Sequence, residues 1–188
     1  MTLFTFDEEV LAPPEGLVYQ PDFMSEPEES EVVQWIDAQP WDRGYARRRQ
    51  FYGQSYRDPS HYCEVPPILK VFAQRLFDLG FVLVVPDHVL INEYKPGQGI
   101  AAHVDEMPDP EGQVVTISLL DCYPMEFAHI ESGAKFEQWL EPRSVAVMSG
   151  PSRTDWTHEI YKRQSDVVQG GGRRMRKRRI SITYRTKL

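Results

Sequence analysis

Cysteine is nearly absent: two residues, Cys63 and Cys122, in a chain of 188. They make no Cys-x-x-Cys pair, and no secretory signal precedes them, so the reading is a chain of a reducing compartment. The N-terminal residues are polar and acidic, with Asp7, Glu8 and Glu9 where a signal peptide needs an apolar run. No stretch approaches the roughly 20 apolar residues of a membrane-spanning helix. Excess positive charge is missing too. The net charge of −7 argues against strong, unspecific affinity for nucleic acid. There is no internal repeat. These absences lead us to expect an intracellular, cytoplasmic protein (nuclear if the source is eukaryotic), with no membrane partner and no obligate protein partner.

What is present is an ordinary globular balance of 41% hydrophobic and 26% charged residues, with four Trp, nine Tyr and nine Phe. The length suits one domain over residues 1–188 with a real hydrophobic core. The positive charge is clustered in two blocks, Arg47-Arg48-Arg49 and the run from Arg173 to Arg179. An acidic chain with two such blocks can present one local basic face, although solvated loops explain them equally well.

The periodicity changes along the chain. Residues 16–23 read as a short strand. Ser25 stands three residues before Glu28, the spacing of a capping box, and a helix with Val32, Val33, Trp35 and Ile36 on its apolar side follows. Residues 40–60 read as an exposed loop or hairpin centred on RRRQFYGQSY. Pro66-Pro67 opens a second helix that Gly80 stops. From residue 82 onward, short β-rich runs replace helices: 88–94, 114–120, 125–130, 134–140, 144–149, 156–161 and 180–185. Residues 169–179 read as a Gly-rich, then basic, loop. The expected fold class is α+β, mainly β: a jelly roll over 82–188, with an N-terminal extension over 1–81 whose helices pack against it.

His103-Val104-Asp105 puts an imidazole and a carboxylate on one side of an extended segment, because residues i and i+2 point the same way. His158, from a distant strand, would complete two His and one carboxylate on one face of a metal, leaving three positions open. That arrangement suits non-haem Fe(II), with two positions for a co-substrate and one for O2. Zinc fits less well. His61, His88 and His129 read as ordinary hydrogen-bonded histidines. Arg179 and Arg185 are six apart on one strand and share a face with Ser181 and Thr183. A dicarboxylic acid needs a cation at each end, and Arg grips carboxylate with a planar fork. Asn92 and Tyr94 supply neutral donors from one face of their own strand. Taken singly, each of these residues has a plain surface explanation.

Together they resemble the AlkB family of Fe(II)/2-oxoglutarate-dependent dioxygenases. INEYKPGQGIAAHVDE is similar to that family's Asn-x-Tyr pair leading through a Pro-Gly turn to its His-x-Asp ligands. VMSGPSRTDWTHEI resembles its Gly-x-Ser-Arg stretch before the second iron histidine, and RISITYR its closing Arg-x5-Arg strand. The likeness extends, more weakly, to GLVYQPDFMSEPEE and RRRQFYG. It is greatest to the members that hydroxylate modified wobble uridines in tRNA and to bacterial AlkB-like proteins. The chain is expected to lack the RNA-binding and methyltransferase domains of those eukaryotic members. The resemblance implies a double-stranded β-helix in which His103, Asp105 and His158 bind Fe(II). It further implies that Arg179, with Tyr94 and Ser181, holds the distal carboxylate of 2-oxoglutarate. Arg185, with Asn92, would hold the carboxylate beside the keto group. Arg47, Arg48, Arg49, Met107 and Arg153 would lie toward the substrate. Two positions depart from the family pattern: Met107 stands where repair members carry an acidic residue, and Glu159 where a Gly follows the second histidine.

The implied activity is hydroxylation or oxidative dealkylation of a nucleobase in single-stranded or flipped DNA or RNA, using O2. The basic block with Tyr45, Phe51, Tyr52 and Tyr56 interleaved suits phosphate contact and stacking. The same chemistry on a protein side chain or small molecule stays open, as does a binding module that has lost catalysis.

Overall fold

A computed structural model describes residues 12–55, 60–105, 107, 109, 111–168 and 170–186. Tyr56, one of the expected stacking aromatics, lies outside these residues. The chain folds as a jelly roll. A seven-stranded antiparallel sheet runs in the order β1 (Leu17–Gln20), β9 (Val145–Met148), β6 (Val114–Leu119), β13 (Arg179–Arg185), β4 (His88–Tyr94), β2 (Arg49–Gln54), β3 (Tyr62–Cys63). A four-stranded sheet is ordered β5 (Ile100–His103), β10 (Trp156–Ile160), β7 (Tyr123–His129), β8 (Lys135–Leu140). A small ribbon pairs β11 (Ser165–Val167) with β12 (Arg173–Met175).

Two helices cover one face of the large sheet. In α1 (Glu26–Ala38) the expected capping box forms: the Glu28 amide donates to Ser25 Oγ, and the Ser25 amide donates to Glu28 Oε2 at 2.8 Å. Pro67 occupies the first turn of α2 (Pro67–Asp78), where its missing N–H costs nothing. Leu69, Phe72, Ala73 and Leu76 recur at helical spacing and are buried. They pack with Val32 and Ile36 against Val89, Ile91, Ile117, Ile180, Ile182 and Tyr184 of the sheet. Period two then dictates the other face. On β13, with the apolar residues turned to the helices, Arg179, Ser181, Thr183 and Arg185 must point toward the smaller sheet.

RRRQFYGQSY takes the hairpin alternative over the loop: Arg49–Gln54 is strand β2, antiparallel to β3 at Gly53↔Cys63 and paired with β4 from Arg49↔Asn92 to Gly53↔His88. β1, β2 and β3, which precede residue 82, lie in the same sheet as β4, β6, β9 and β13. The basic run 173–179 is not a free loop, because β12 lies in it and three of its charges are matched. Arg174 pairs with Asp121, buried Arg176 with Asp166 at 2.7 Å, and Arg178 with both Asp37 and Glu93. Among the described residues no helix is long and apolar enough to cross a membrane.

Candidate active site

A type II turn delivers the first two candidate ligands. Pro96 and Gly97 occupy its centre, Gly97 has φ +85°, and the Gln98 amide donates to the Lys95 carbonyl at 2.9 Å. The turn joins β4, carrying Asn92 and Tyr94, to β5, which ends at His103. Directly across from His103, on β10, stands His158. Their rings are 4.3 Å apart, and Asp105 Oδ2 lies 3.5 Å from His158 Nε2. The ligand atoms of His103, Asp105 and His158 all fall within 4.8 Å of one another.

Asp105 and His158 have the protonation states a divalent cation requires. His103 Nδ1 is 2.9 Å from the Ala101 carbonyl, an acceptor, so it carries the proton and Nε2 keeps its lone pair. His158 is buried, which pushes its pKa down to about 4 and keeps the imidazole neutral; its Nδ1 has no hydrogen-bond partner. Burial alone would raise the Asp105 carboxyl. Arg185, His158 and His103 outweigh it and hold the group below the usual carboxylate range. Arg185 donates from Nη2 to Asp105 Oδ1 at 2.6 Å, leaving Oδ2 turned toward the histidines.

The cavity between the sheets joins this triad to the polar face of β13. Its wall includes Asn92, Tyr94, Arg179, Ser181, Thr183 and Arg185, with Leu90, Ile100, Thr116, Met125 and Met148. Arg179 is fully buried. It donates from Nη2 to Ser118 Oγ at 2.8 Å, while Nε and Nη1 have no partner. Aromatic faces flank it, Tyr94 at 5.2 Å and Tyr123 at 5.9 Å, the range of cation–π contact. A buried guanidinium with two spare donors is costly unless an anion completes it. The residues therefore fit a metal with three open positions and, beside it, an acid reaching Arg179.

The expected substrate-side residues divide. Arg47 and Arg49 line the cavity beside exposed Tyr45. Arg47 donates to the Gly99 carbonyl at 2.6 Å and covers the Tyr94 ring; Arg49 pairs with Asp42 and stacks on Tyr45. Arg48 points the other way, onto Glu93 and the Trp41 ring, because neighbours in extended chain alternate. Arg153 is buried and donates to the Asp109 carbonyl at 3.2 Å, and half-buried Met107 packs with the core. Neither Arg48, Met107 nor Arg153 lines the cavity. Sequence reasoning missed Thr116, Ser118 and Tyr123. The polar alternation in VVTISLL could have revealed Thr116 and Ser118; nothing local singles out Tyr123.

Residues 25–185 match the family model described as 2OG-Fe(II) oxygenase superfamily. The chain is 32% identical over 179 residues to "tRNA (carboxymethyluridine(34)-5-O)-methyltransferase alkbh8" of Xenopus tropicalis, covering 86% of this chain and 28% of that protein. It is 36% identical over 121 residues to "Probable RNA/DNA demethylase ALKBH6" of Danio rerio, covering 60% of this chain and 51% of that one. It thus spans little more than a quarter of the first relative's length. A solved structure, "The structure of OsALKBH1", shares the fold with TM-score 0.67 at 16% identity, over 94% of this chain and 99% of that one.

Proposed function

The chain belongs to the 2OG-Fe(II) oxygenase superfamily, and from that premise we propose that it hydroxylates or oxidatively dealkylates a nucleobase in DNA or RNA. Its cofactors are those of the superfamily: Fe(II), with 2-oxoglutarate as co-substrate and O2. One observation carries the site assignment: three metal-ligand side chains converge beside a buried arginine with two unused donors. In this reading His103, Asp105 and His158 hold the iron. Arg179, with Tyr94 and Ser181, takes the distal carboxylate of 2-oxoglutarate. Arg185, with Asn92, takes the carboxylate beside the keto group.

The chemistry supplied at that point is insertion of one oxygen atom of O2 into a substrate C–H bond, the other passing to 2-oxoglutarate as it becomes succinate and CO2. The chain's own residues bind and orient. Asp105 and Arg185 offset each other's charge within the cavity, and Ile100, Met125 and Met148 supply apolar parts of its wall. The nucleobase assignment is supported by the tRNA and RNA/DNA named in the relatives' descriptions. It is supported also by the rim, where Tyr45, 56% exposed, offers a stacking face with Arg47 and Arg49 beside it. The reading takes residues 1–188 as one catalytic domain acting inside the cell, with nucleic acid as its partner.

A second reading keeps the chemistry and places it on a protein side chain or small molecule. The pairing of Arg48, Arg49, Arg174, Arg176 and Arg178 with acidic side chains favours it, since each pair removes a cation from phosphate contact. A screen of methylated and hypermodified oligonucleotides separates the two. Mass spectrometry should show a loss of about 14 or a gain of about 16 mass units in step with succinate. Succinate without any change in an oligonucleotide would favour the second reading.

A further inference from the structure

Strand β4 places a third histidine against Arg185, just outside the lining of the cavity. His88 shares its face with Leu90, Asn92 and Tyr94 and sits directly across from Arg185. It is 8% exposed, and the edge of the Phe51 ring packs on it at 5.0 Å. Its Nδ1 lies 2.9 Å from the Gln54 carbonyl oxygen, which can only accept. The Nδ1 atom therefore carries the proton, and Nε2 presents a lone pair. That lone pair faces Arg185 Nη1 at 3.1 Å. Gly53 allows the close approach of β2. It pairs with His88 at φ +91°, and a Cβ there would stand 1.7 Å from the Asp87 carbonyl oxygen.

We propose that His88 is a positioning residue for 2-oxoglutarate: as a neutral, Nδ1-protonated acceptor it holds Arg185 in the orientation that serves the co-substrate and Asp105 together. The inference rests on the reading of Arg185 given above. The guanidinium spans two acceptors of different kind, the imidazole on Nη1 and the Asp105 carboxylate on Nη2. The difference has a purpose. A carboxylate at position 88 would orient Arg185 equally well but cancel the charge that draws an incoming carboxylate. A neutral imidazole orients without neutralising. A long side chain so held has little rotamer freedom left to lose when the acid binds. Burial and the adjacent Arg185 push the His88 pKa down to about 4, in keeping with a neutral ring. Because Arg185 occupies Asp105 Oδ1, the same contact helps leave Oδ2 free for the metal.

The test compares His88→Leu, His88→Gln and Arg185→Ala in the full chain, loaded with Mn(II) without O2, by calorimetric titration of 2-oxoglutarate. Loss of a hydrogen bond to a charged group should raise Kd about tenfold or more in His88→Leu. In the iron enzyme the KM for 2-oxoglutarate should rise with it, while kcat at saturation changes by less than about threefold. Gln can accept from Arg185 through Oε1 and donate to Gln54 through Nε2, so His88→Gln should recover most of the affinity. Nitrogen-15 NMR of the wild-type protein should show His88 neutral with the proton on Nδ1, a readout that survives even if His88→Leu folds poorly. A Kd within twofold of wild type in His88→Leu, failure of Gln to rescue, or a proton on Nε2 would overturn the proposal. If Arg185→Ala binds 2-oxoglutarate like wild type, the reading of Arg185 itself fails. If Arg185→Ala loses binding and His88→Leu does not, only the role of His88 falls.

Discussion

The two faces of strand β13 teach different lessons. Ile180, Ile182 and Tyr184 turn outward and are fully buried against the helices, where apolar burial and close packing decide everything. Arg179, Ser181 and Thr183 turn inward and are also buried, with Arg185 half-buried beside them, but here two donors of the Arg179 guanidinium have no partner in the protein. One face spends its residues on stability; the other keeps unsatisfied groups where a ligand is to bind. Substitutions should therefore separate stability from binding according to the face they touch.

The largest separation is expected at Arg179. Replacement by Met removes a buried cation with no carboxylate partner and fills its space with a similar volume. Affinity for 2-oxoglutarate should fall by about 2–4 kcal/mol, roughly 30- to 1,000-fold. The ligand-free protein should melt no lower than wild type and can melt higher. Calorimetry with and without 2-oxoglutarate reads both quantities. A lower melting point with unchanged affinity would reverse the assignment of the two faces.

Ile182→Ala is the mirror experiment. It opens a cavity between sheet and helices and should cost about 2–4 kcal/mol in denaturant unfolding. Affinity for 2-oxoglutarate in the folded protein should stay within about twofold, since the side chain points away from the site. A matching loss of affinity would mean that the faces are coupled.

Arg178→Ala sharpens the comparison at the strand's edge. The alternation that turns Arg179 inward places Arg178 outward, yet it is not idle: it clamps Asp37 of α1 and Glu93 of β4. With Arg48 still holding Glu93, the loss should be roughly 1 kcal/mol of stability with no change in 2-oxoglutarate binding. Stability within error of wild type would make these pairs surface decoration.

The smallest effect is expected at the rim. Joint replacement of Arg47 and Arg49 by Ala should flatten the salt dependence of single-stranded oligonucleotide binding by up to ~1.4 units of slope. Arg48 belongs outside that set because it faces Glu93. An unchanged slope would favour a protein or small-molecule substrate.

Much of this was readable beforehand where the signal is local. The Ser25–Glu28 box, the alternation of HVLINEY and RISITYR and the Pro-Gly turn each act within a few residues, and their elements form as expected. The same alternation placed Asn92, Tyr94, Arg179, Ser181 and Arg185 on inward faces that share one cavity. What stayed hidden depends on partners far along the chain. Arg174 is neutralised by an aspartate 53 residues away and Arg48 by a glutamate 45 away, so both basic runs looked freer than they are. Tyr123 reaches Arg179 only through the packing of two sheets. His88 lay on the informative face of its strand, but only the position of Gln54 on β2 and of Arg185 on β13 gives its two nitrogens distinct partners.

The central claim is that His103, Asp105 and His158 form one metal centre that couples 2-oxoglutarate to O2. Its most direct test is succinate formation from 2-oxoglutarate by the purified protein with Fe(II) and O2, run beside Asp105→Ala. The account predicts one succinate per 2-oxoglutarate consumed by wild type, abolition by chelation of iron, and background levels in the variant with its fold intact by circular dichroism. Turnover in Asp105→Ala equal to wild type, or none in iron-loaded wild type with any tested substrate, would contradict it.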